Sequence, residues 1–356
     1  MLTLHSNIYR RLLQPLLFKL SPETAQRVAN FVLRRRAIWR VLSPLMEVTD
    51  DALALDFCGL KLENPVGLAA GYDKDCELLP SLAALGFGYL VGGTVTLLPR
   101  IGNPHPRIFR YVDQQSLINS MGFPSKGLEH AVRELAGISM SHNRVPIMIS
   151  VSGLTTEDIL ICHRRLEPIV EAVELNISSP NTEGLRLFHE PQTLRNLLRR
   201  INENRHKPLL IKIPPYTCEA QVSDLPEKEW KERMALVRVC LEEGADAVTV
   251  ANSRMTKDSR LSVGVGGLSG KALFEGTLRM VKDVRSEVGP RLSIAACGGI
   301  FSAEDAWSVI KAGATTVQIY TGLVYCGPGV ANEINRGLLM LMQCEGLSSI
   351  KAVRDY

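Results

Sequence analysis

Glu174-Leu-Asn-Ile-Ser-Ser-Pro-Asn-Thr-Glu-Gly-Leu-Arg186 joins an apolar run to a dense polar loop. The run (Ile169, Val170, Ala172, Val173, Leu175) stops at Asn176; Ser178, Ser179, Asn181 and Thr182 follow, with Pro180 and Gly184 setting the loop's course. Asn, Ser and Thr are common in any turn because their side chains bond their own backbone. One such cluster is therefore weak evidence. The same arrangement recurs along the chain, and the recurrence decides the fold.

Eight short β-rich runs are separated by longer stretches: Val66–Ala70, Tyr89–Gly93, Ile147–Val151, Ala172–Asn176, Leu209–Ile213, Ala247–Ala251, Leu292–Ala296 and Thr316–Tyr320. Between several of them Leu194–Asn202, Glu227–Glu243, Leu273–Val288 and Ala303–Ala312 read as helices. Near-continuous apolar strands alternating with helices predict an α/β chain folded as a parallel (β/α)8 barrel. A doubly wound open sheet is the alternative, but no G-x-G-x-x-G follows the first strand. The long interval 94–146 predicts extra structure at the barrel mouth.

Barrel enzymes place their chemistry at the C-terminal ends of the strands. The first strand leads into Gly71-Tyr-Asp-Lys74 and the second into Thr94-Val-Thr96. Ser150 and Ser152 stand on the third, Asn176 to Asn181 after the fourth, and Lys212 inside the fifth. The last three end in Asn252-Ser253, Gly298-Gly299 and Tyr320-Thr321-Gly322. Lys212, between Ile211 and Ile213, is costly to bury without an anion or a chemical task. It reads as a charge partner for a bound anion, a Schiff-base lysine or a snorkelling strand lysine. Gly298-Gly299 with Thr321-Gly322 fits the barrel phosphate site after strands seven and eight, which suggests a phosphate-bearing cofactor such as FMN. Asn119, Asn176, Asn181 and Asn252 offer paired donors and acceptors for a small planar ligand with carbonyl, N–H and carboxylate edges. No Asp or His stands beside them. Ser179, aided by Thr182, is then the candidate proton acceptor, against the plain reading of a structural Ser in a Pro-containing turn.

With 356 residues, 46% of them hydrophobic, the chain can bury a large core. Its eight Cys lack C-x-x-C or metal spacing and read as reduced thiols; its seven His form no H-x-x-H, so no metal site is expected. No apolar run reaches the roughly 18 residues of a membrane span, and no signal-peptide core opens the chain. Residues 1–46 carry eight Lys/Arg against Glu23, a local +7 within an overall +4. The basic character is confined there, which argues against a nucleic-acid groove.

That segment reads as two short helices. The first carries Ile8, Leu12, Leu13, Leu16, Leu17 and Leu20 around Arg10, Arg11 and Lys19. Ser21-Pro22-Glu23 starts the second, with Arg34-Arg35-Arg36 after Val32 and Ile38, Trp39, Val41, Leu42 and Leu45 beyond. Apolar stripes flanked by Arg describe a helix pair lying on an anionic membrane. A helix pair docked on its own domain with a solvated basic face fits equally well.

Asn176-Ile-Ser-Ser-Pro-Asn-Thr-Glu-Gly-Leu-Arg186 resembles the N-[IV]-S-S-P-N-T-x-G-L-R signature of the class 2, quinone-linked dihydroorotate dehydrogenases. Further matches are Gly67–Lys74, Gly93–Thr96, Gly102–Arg110, Ile118–Phe123, Gly266–Gly270 and Val317–Gly322, in family order across essentially the whole chain. The resemblance implies an FMN-dependent oxidation of dihydroorotate to orotate in pyrimidine synthesis, with electrons passed to a membrane quinone. It makes Ser179 the base at C5 while hydride leaves C6 for the flavin, with Phe123 and Thr182 flanking the water that takes the proton onward. Lys74, Asn119, Phe123, Asn176, Asn181, Asn252 and Ser253 would hold the substrate. Ala70, Gly71, Lys74, Thr94, Ser150, Asn176, Lys212, Ala251, Gly270, Gly299, Tyr320 and Thr321 would hold FMN, with Lys212 at the N1/O2 edge. Arg110 and Tyr320 would face the quinone.

It also implies three parts: a membrane-facing extension (1–46) forming a quinone tunnel, a barrel (50–340) and a C-terminal tail (341–356). The helix pair would place the protein peripherally on the cytoplasmic side of the inner membrane. The chain departs from the family at Ser150-Val-Ser-Gly-Leu154 (usually N-x-G-K-N), Ser120 (Arg), Pro124 (Asn) and Leu97 (Pro). A related FMN barrel acting on another dihydropyrimidine, and a catalytically silent membrane-bound relative, are the competing readings.

Overall fold

A computed structural model of the chain describes residues 7–138, 145–178, 187–217 and 226–355. A hairpin of β1 (Leu55–Phe57) and β2 (Leu60–Leu62) precedes the first barrel strand. The barrel strands are β3 (Val66–Leu68), β4 (Tyr89–Val95), β7 (Ile147–Val151), β8 (Ala172–Asn176), β9 (Leu209–Lys212), β10 (Ala247–Val250), β13 (Ser293–Cys297) and β14 (Thr316–Ile319). All pair in parallel, and β14 closes on β3. The predicted (β/α)8 barrel is the fold. All eight predicted runs are strands, each within two residues of its expected ends.

The strands are buried on both faces because helices cover the outside and side chains fill the inside. Outer helices such as Pro191–Asn202, Glu227–Glu242, Phe274–Val288 and Ala303–Lys311 lie where the sequence predicts them. Ser302 and Asp305 form a reciprocal capping box that starts the last of these. The barrel floor is made by Tyr89, which crosses to Thr316 with a 2.9 Å hydroxyl contact. Gly67 makes this possible, since a Cβ there would collide with the Tyr89 ring. Phe57 of the hairpin packs against that ring at 5.7 Å, sealing the N-terminal end.

The interval after β4 does hold added structure. β5 (Ile108–Tyr111) and β6 (Ser116–Asn119) join β11 (Arg254–Lys257) and β12 (Val265–Gly270) in an antiparallel sheet, ordered β11-β12-β6-β5.

The N-terminal segment differs from expectation. A helical turn at Tyr9–Leu13 runs into Gln14–Phe18, and the expected second helix is two, Pro22–Leu33 and Arg36–Met46. The break lies at Arg35, whose φ of −82° and ψ of 68° leave the helical region. The Trp39 indole donates to the Val32 carbonyl (3.1 Å), which also accepts from the Arg35 N–H at 3.1 Å. Leu33 and Trp39 are thereby buried while Phe31, Ile38 and Val41 stay exposed. Arg107 ties the segment to the small sheet through Glu23 (2.9 Å). No helix among the described residues is long and apolar enough to cross a membrane.

Candidate active site

A cavity opens at the C-terminal ends of the barrel strands, with the small sheet as one wall. Of the expected site residues, Ala70, Gly71, Lys74, Thr94, Asn119, Phe123, Asn176, Lys212, Ala251, Asn252, Ser253, Gly270, Gly299, Tyr320 and Thr321 line it. They come from β4, β6, β8, β9, β12, the loops after β3, β6, β10, β13 and β14 and the start of the helix that follows β14, which the closed barrel and its small sheet bring together.

The amides form a connected set. Asn176 Oδ1 accepts from the Ser178 N–H (3.2 Å), Ser178 Oγ (3.1 Å) and Asn252 Nδ2 (3.3 Å). Its Nδ2 donates to Thr94 Oγ1 at 3.2 Å. Asn252 also donates to Ser178 Oγ (3.0 Å) and accepts from the Ser253 N–H (2.7 Å). These bonds fix the rotamers of the polar wall before any ligand arrives. Lys74 is held at the rim by the Gly71 carbonyl, 2.6 Å from its Nζ.

Lys212 is only 4% exposed, so its ammonium has left bulk water. Burial alone would strip its proton, yet the nearby acidic groups outweigh burial and hold it above the ordinary lysine value. Its polar neighbours are Cys297 Sγ at 3.7 Å and Glu174 Oε1 at 4.0 Å.

Opposite the amides the wall is glycine. Gly270 (φ +105°) and Gly299 (φ +75°) take left-handed conformations, and a Cβ on either would strike backbone, of Gln115 and Phe274 respectively. Glycine is thus demanded by packing of the chain on itself, and the cradle so formed puts bare main chain on the cavity wall. Thr321 Oγ1 donates to Ser269 Oγ (3.0 Å) beside it. One buried cation, a row of amides and a glycine cradle suit a flat, anionic, phosphate-bearing molecule, so the residues present fit FMN.

Two residues named from the sequence do not line this cavity, Ser150 from the cofactor set and Arg110 from the quinone-facing pair. Ser150 is fully buried behind Thr94, hydroxyl to hydroxyl at 3.0 Å. It acts on the cavity only through the orientation of Thr94. Arg110 also lies off the cavity lining, on β5, over the Phe18 ring at 4.5 Å and donating to the Leu20 carbonyl at 2.7 Å. Ser179, Asn181 and Thr182 lie outside the described residues. Cavity residues absent from the sequence reading include Gln26, Ser269, Cys297 and Gln318. Glu174, beneath the cavity, was missed as well, although an acid inside an apolar strand is the same signal that singles out Lys212.

The closed parallel barrel and the place of its cavity define a (β/α)8-barrel protein whose site lies where barrel enzymes keep theirs. Residues 52–342 match the family model described as dihydroorotate dehydrogenase, and the chain belongs to that family. Similar proteins include the dihydroorotate dehydrogenase (quinone) of Thermus thermophilus, 38% identical over 352 residues that cover 95% of this chain and 98% of that one. A protein of the same name from Chloroflexus aurantiacus is 35% identical over 359 residues, covering 93% and 96%. Among solved structures, the DHODH of Eimeria tenella in complex with ferulenol aligns with a TM-score of 0.81 at 26% identity, over 95% of this chain and 97% of that one. Both named relatives are of the quinone-linked branch expected from the sequence.

Proposed function

We propose that this chain oxidises dihydroorotate to orotate for pyrimidine synthesis, with FMN as first acceptor and a membrane quinone as second. The observation that carries the reading is the joining, in one cavity, of buried Lys212 with the interlocked Asn176–Asn252 pair and the glycine cradle.

FMN, when bound, supplies the hydride acceptor. Gly71, Gly270, Gly299 and Thr321 would hold it, with Ala70, Thr94, Ala251 and Tyr320 around the ring. Lys212 contributes a fixed positive charge in a site closed to bulk water, where it counts for more than at a surface. Asn119, Asn176, Asn252 and Ser253 orient the substrate's carbonyl, N–H and carboxylate edges, Asn181 joining them from the following loop. Ser179 takes the C5 proton as its own hydroxyl proton leaves to a water that Thr182 and Phe123 flank. The exposed apolar face of the N-terminal helices rests on an anionic membrane, which makes the protein peripheral and brings quinone to the Arg110 side.

The test is anaerobic. The purified protein carries a flavin spectrum, and dihydroorotate bleaches it within seconds. A yellow protein that stays yellow overturns the substrate and favours another dihydropyrimidine; a colourless one overturns the cofactor. Ser179→Ala retains flavin and bleaches slowly, and near-normal bleaching removes Ser179 from the role of base.

A further inference from the structure

Beneath the cavity a second charge is buried with Lys212. Glu174 fills the barrel interior from β8 with no exposure at all. Its Oε2 accepts from Thr249 Oγ1 of β10 at 2.8 Å and from Gln318 Nε2 of β14 at 3.4 Å. Its Oε1 receives no hydrogen bond among the described residues and stands 4.0 Å from Lys212 Nζ. One oxygen is thus anchored by two neutral donors on other strands, which leaves the second aimed at the ammonium. The anchoring fixes the carboxylate, so its reach toward Lys212 is set by the barrel and not by chance rotamers.

The groups that face this pair come from every strand packed on it. Cys297 of β13 touches Lys212 and is the larger of the two groups that raise it, Glu174 being the other, but burial pushes the thiol up, so near neutral pH it serves as a neutral acceptor. Tyr89 of β4 looks toward Glu174 from the floor; burial likewise holds its phenol above the usual range. Lys74 lines the same cavity, with its ammonium on the Gly71 carbonyl. Among the described residues this leaves Glu174 as the anion that Lys212 meets. A wholly buried lysine without an anion sheds its proton, and an opposite charge within about 4–6 Å reverses that.

We propose that Glu174 is a positioning residue for the site: it is the built-in counter-ion that keeps Lys212 protonated and pointed at the cavity when water is excluded. The cavity then presents the same charge to an anionic ligand across the neutral and mildly alkaline range. Thr249 and Gln318 serve the same end by holding the carboxylate still. The identity of the ligand rests on the function proposed above; the Glu174–Lys212 coupling does not.

Two measurements on the full-length protein test it. The first compares urea midpoints of the wild type, Glu174→Gln, Lys212→Met and the double variant. Each single change strands one buried charge and lowers the midpoint, whereas the double change removes both and recovers much of the loss. Losses that simply add would overturn the coupling. The second follows the flavin midpoint potential against pH. Glu174→Gln lets Lys212 lose its proton at lower pH than in the wild type, so the variant's potential falls relative to the wild type's as pH rises. Thr249→Val, which frees the carboxylate without removing it, moves the potential the same way by less. A wild-type and Glu174→Gln offset that is constant with pH means Glu174 acts by its own charge alone, and the proposal falls. The urea comparison needs no cofactor, so a protein isolated without flavin defeats the FMN reading and leaves this one to be decided by the midpoints.

Discussion

The barrel mouth buries what proteins usually expose, and the N-terminal segment exposes what they usually bury. Inside the barrel, Glu174 and Lys212 lie at 0% and 4% exposure and face each other, Glu174 held by neutral donors and Lys212 donating to Cys297. Along residues 7–46, Leu12, Phe31 and Val41 stand 61%, 61% and 77% exposed between arginines. Both inversions cost stability, the first through desolvation and the second through unburied apolar surface. Neither is needed to close a barrel. The inner one belongs to chemistry at a small ligand, the outer one to a surface that another phase covers, and they are separable by experiment.

The largest effect is expected inside. Lys212→Met keeps the length of the side chain and removes its charge, so flavin reduction should slow by about a hundredfold to a thousandfold, the usual loss for one preorganised electrostatic group. Vesicle binding should not change. Rapid-mixing measurement of bleaching by dihydroorotate checks the first and flotation the second. A variant that also leaves the membrane would mean the two regions act as one.

The smaller effect is outside. Replacing Leu12, Phe31 and Val41 together by Ser removes three strongly exposed apolar side chains without touching Arg10 or Glu23, which tie the segment to the barrel and its small sheet. Burying such a side chain is worth about 1.5–3 kcal/mol, so binding to anionic vesicles should weaken roughly tenfold for each. Bleaching by dihydroorotate should stay normal, while reoxidation by a long-chain quinone slows. Unchanged flotation would make the face an ordinary solvated one.

The two regions also differed in how far the sequence disclosed them. The eight strands were legible because a parallel strand is apolar on both faces and stops at a polar end, a pattern written within a few residues. Lys212 and the amides were legible for the same reason. Ser150 stands at the expected strand position but behind Thr94, a matter of side-chain depth that strand ends do not encode. Glu174 was passed over because it sits among apolar residues of the opening run, and its partners Thr249 and Gln318 are 75 and 144 residues away in sequence. Outside, the helix count was wrong because the chain leaves the helical region at Arg35 and Trp39 folds back onto Val32, a tertiary arrangement within an otherwise helical pattern.

The smallest effect sharpens the contrast within the interior itself. Asp73, in the loop after β3, is buried like Glu174 but is held by the N–H groups of Glu77 (3.1 Å) and Leu78 (2.7 Å) in place of a cation. Burial outweighs those two bonds and pushes its carboxyl up to about 6. A folded state that holds its proton more tightly than the unfolded chain is most stable while that proton is on. Stability from Asp73 is therefore full below the unfolded value near 3.8 and is lost as pH rises to about 6. The loss amounts to about 3 kcal/mol at most. Urea midpoints followed from pH 4 to pH 6 should show this downward contribution in the wild type and lack it in Asp73→Asn. If the two profiles run parallel, the two N–H groups suffice to hold a buried carboxylate charged, and the cation beside Glu174 is there for the ligand alone.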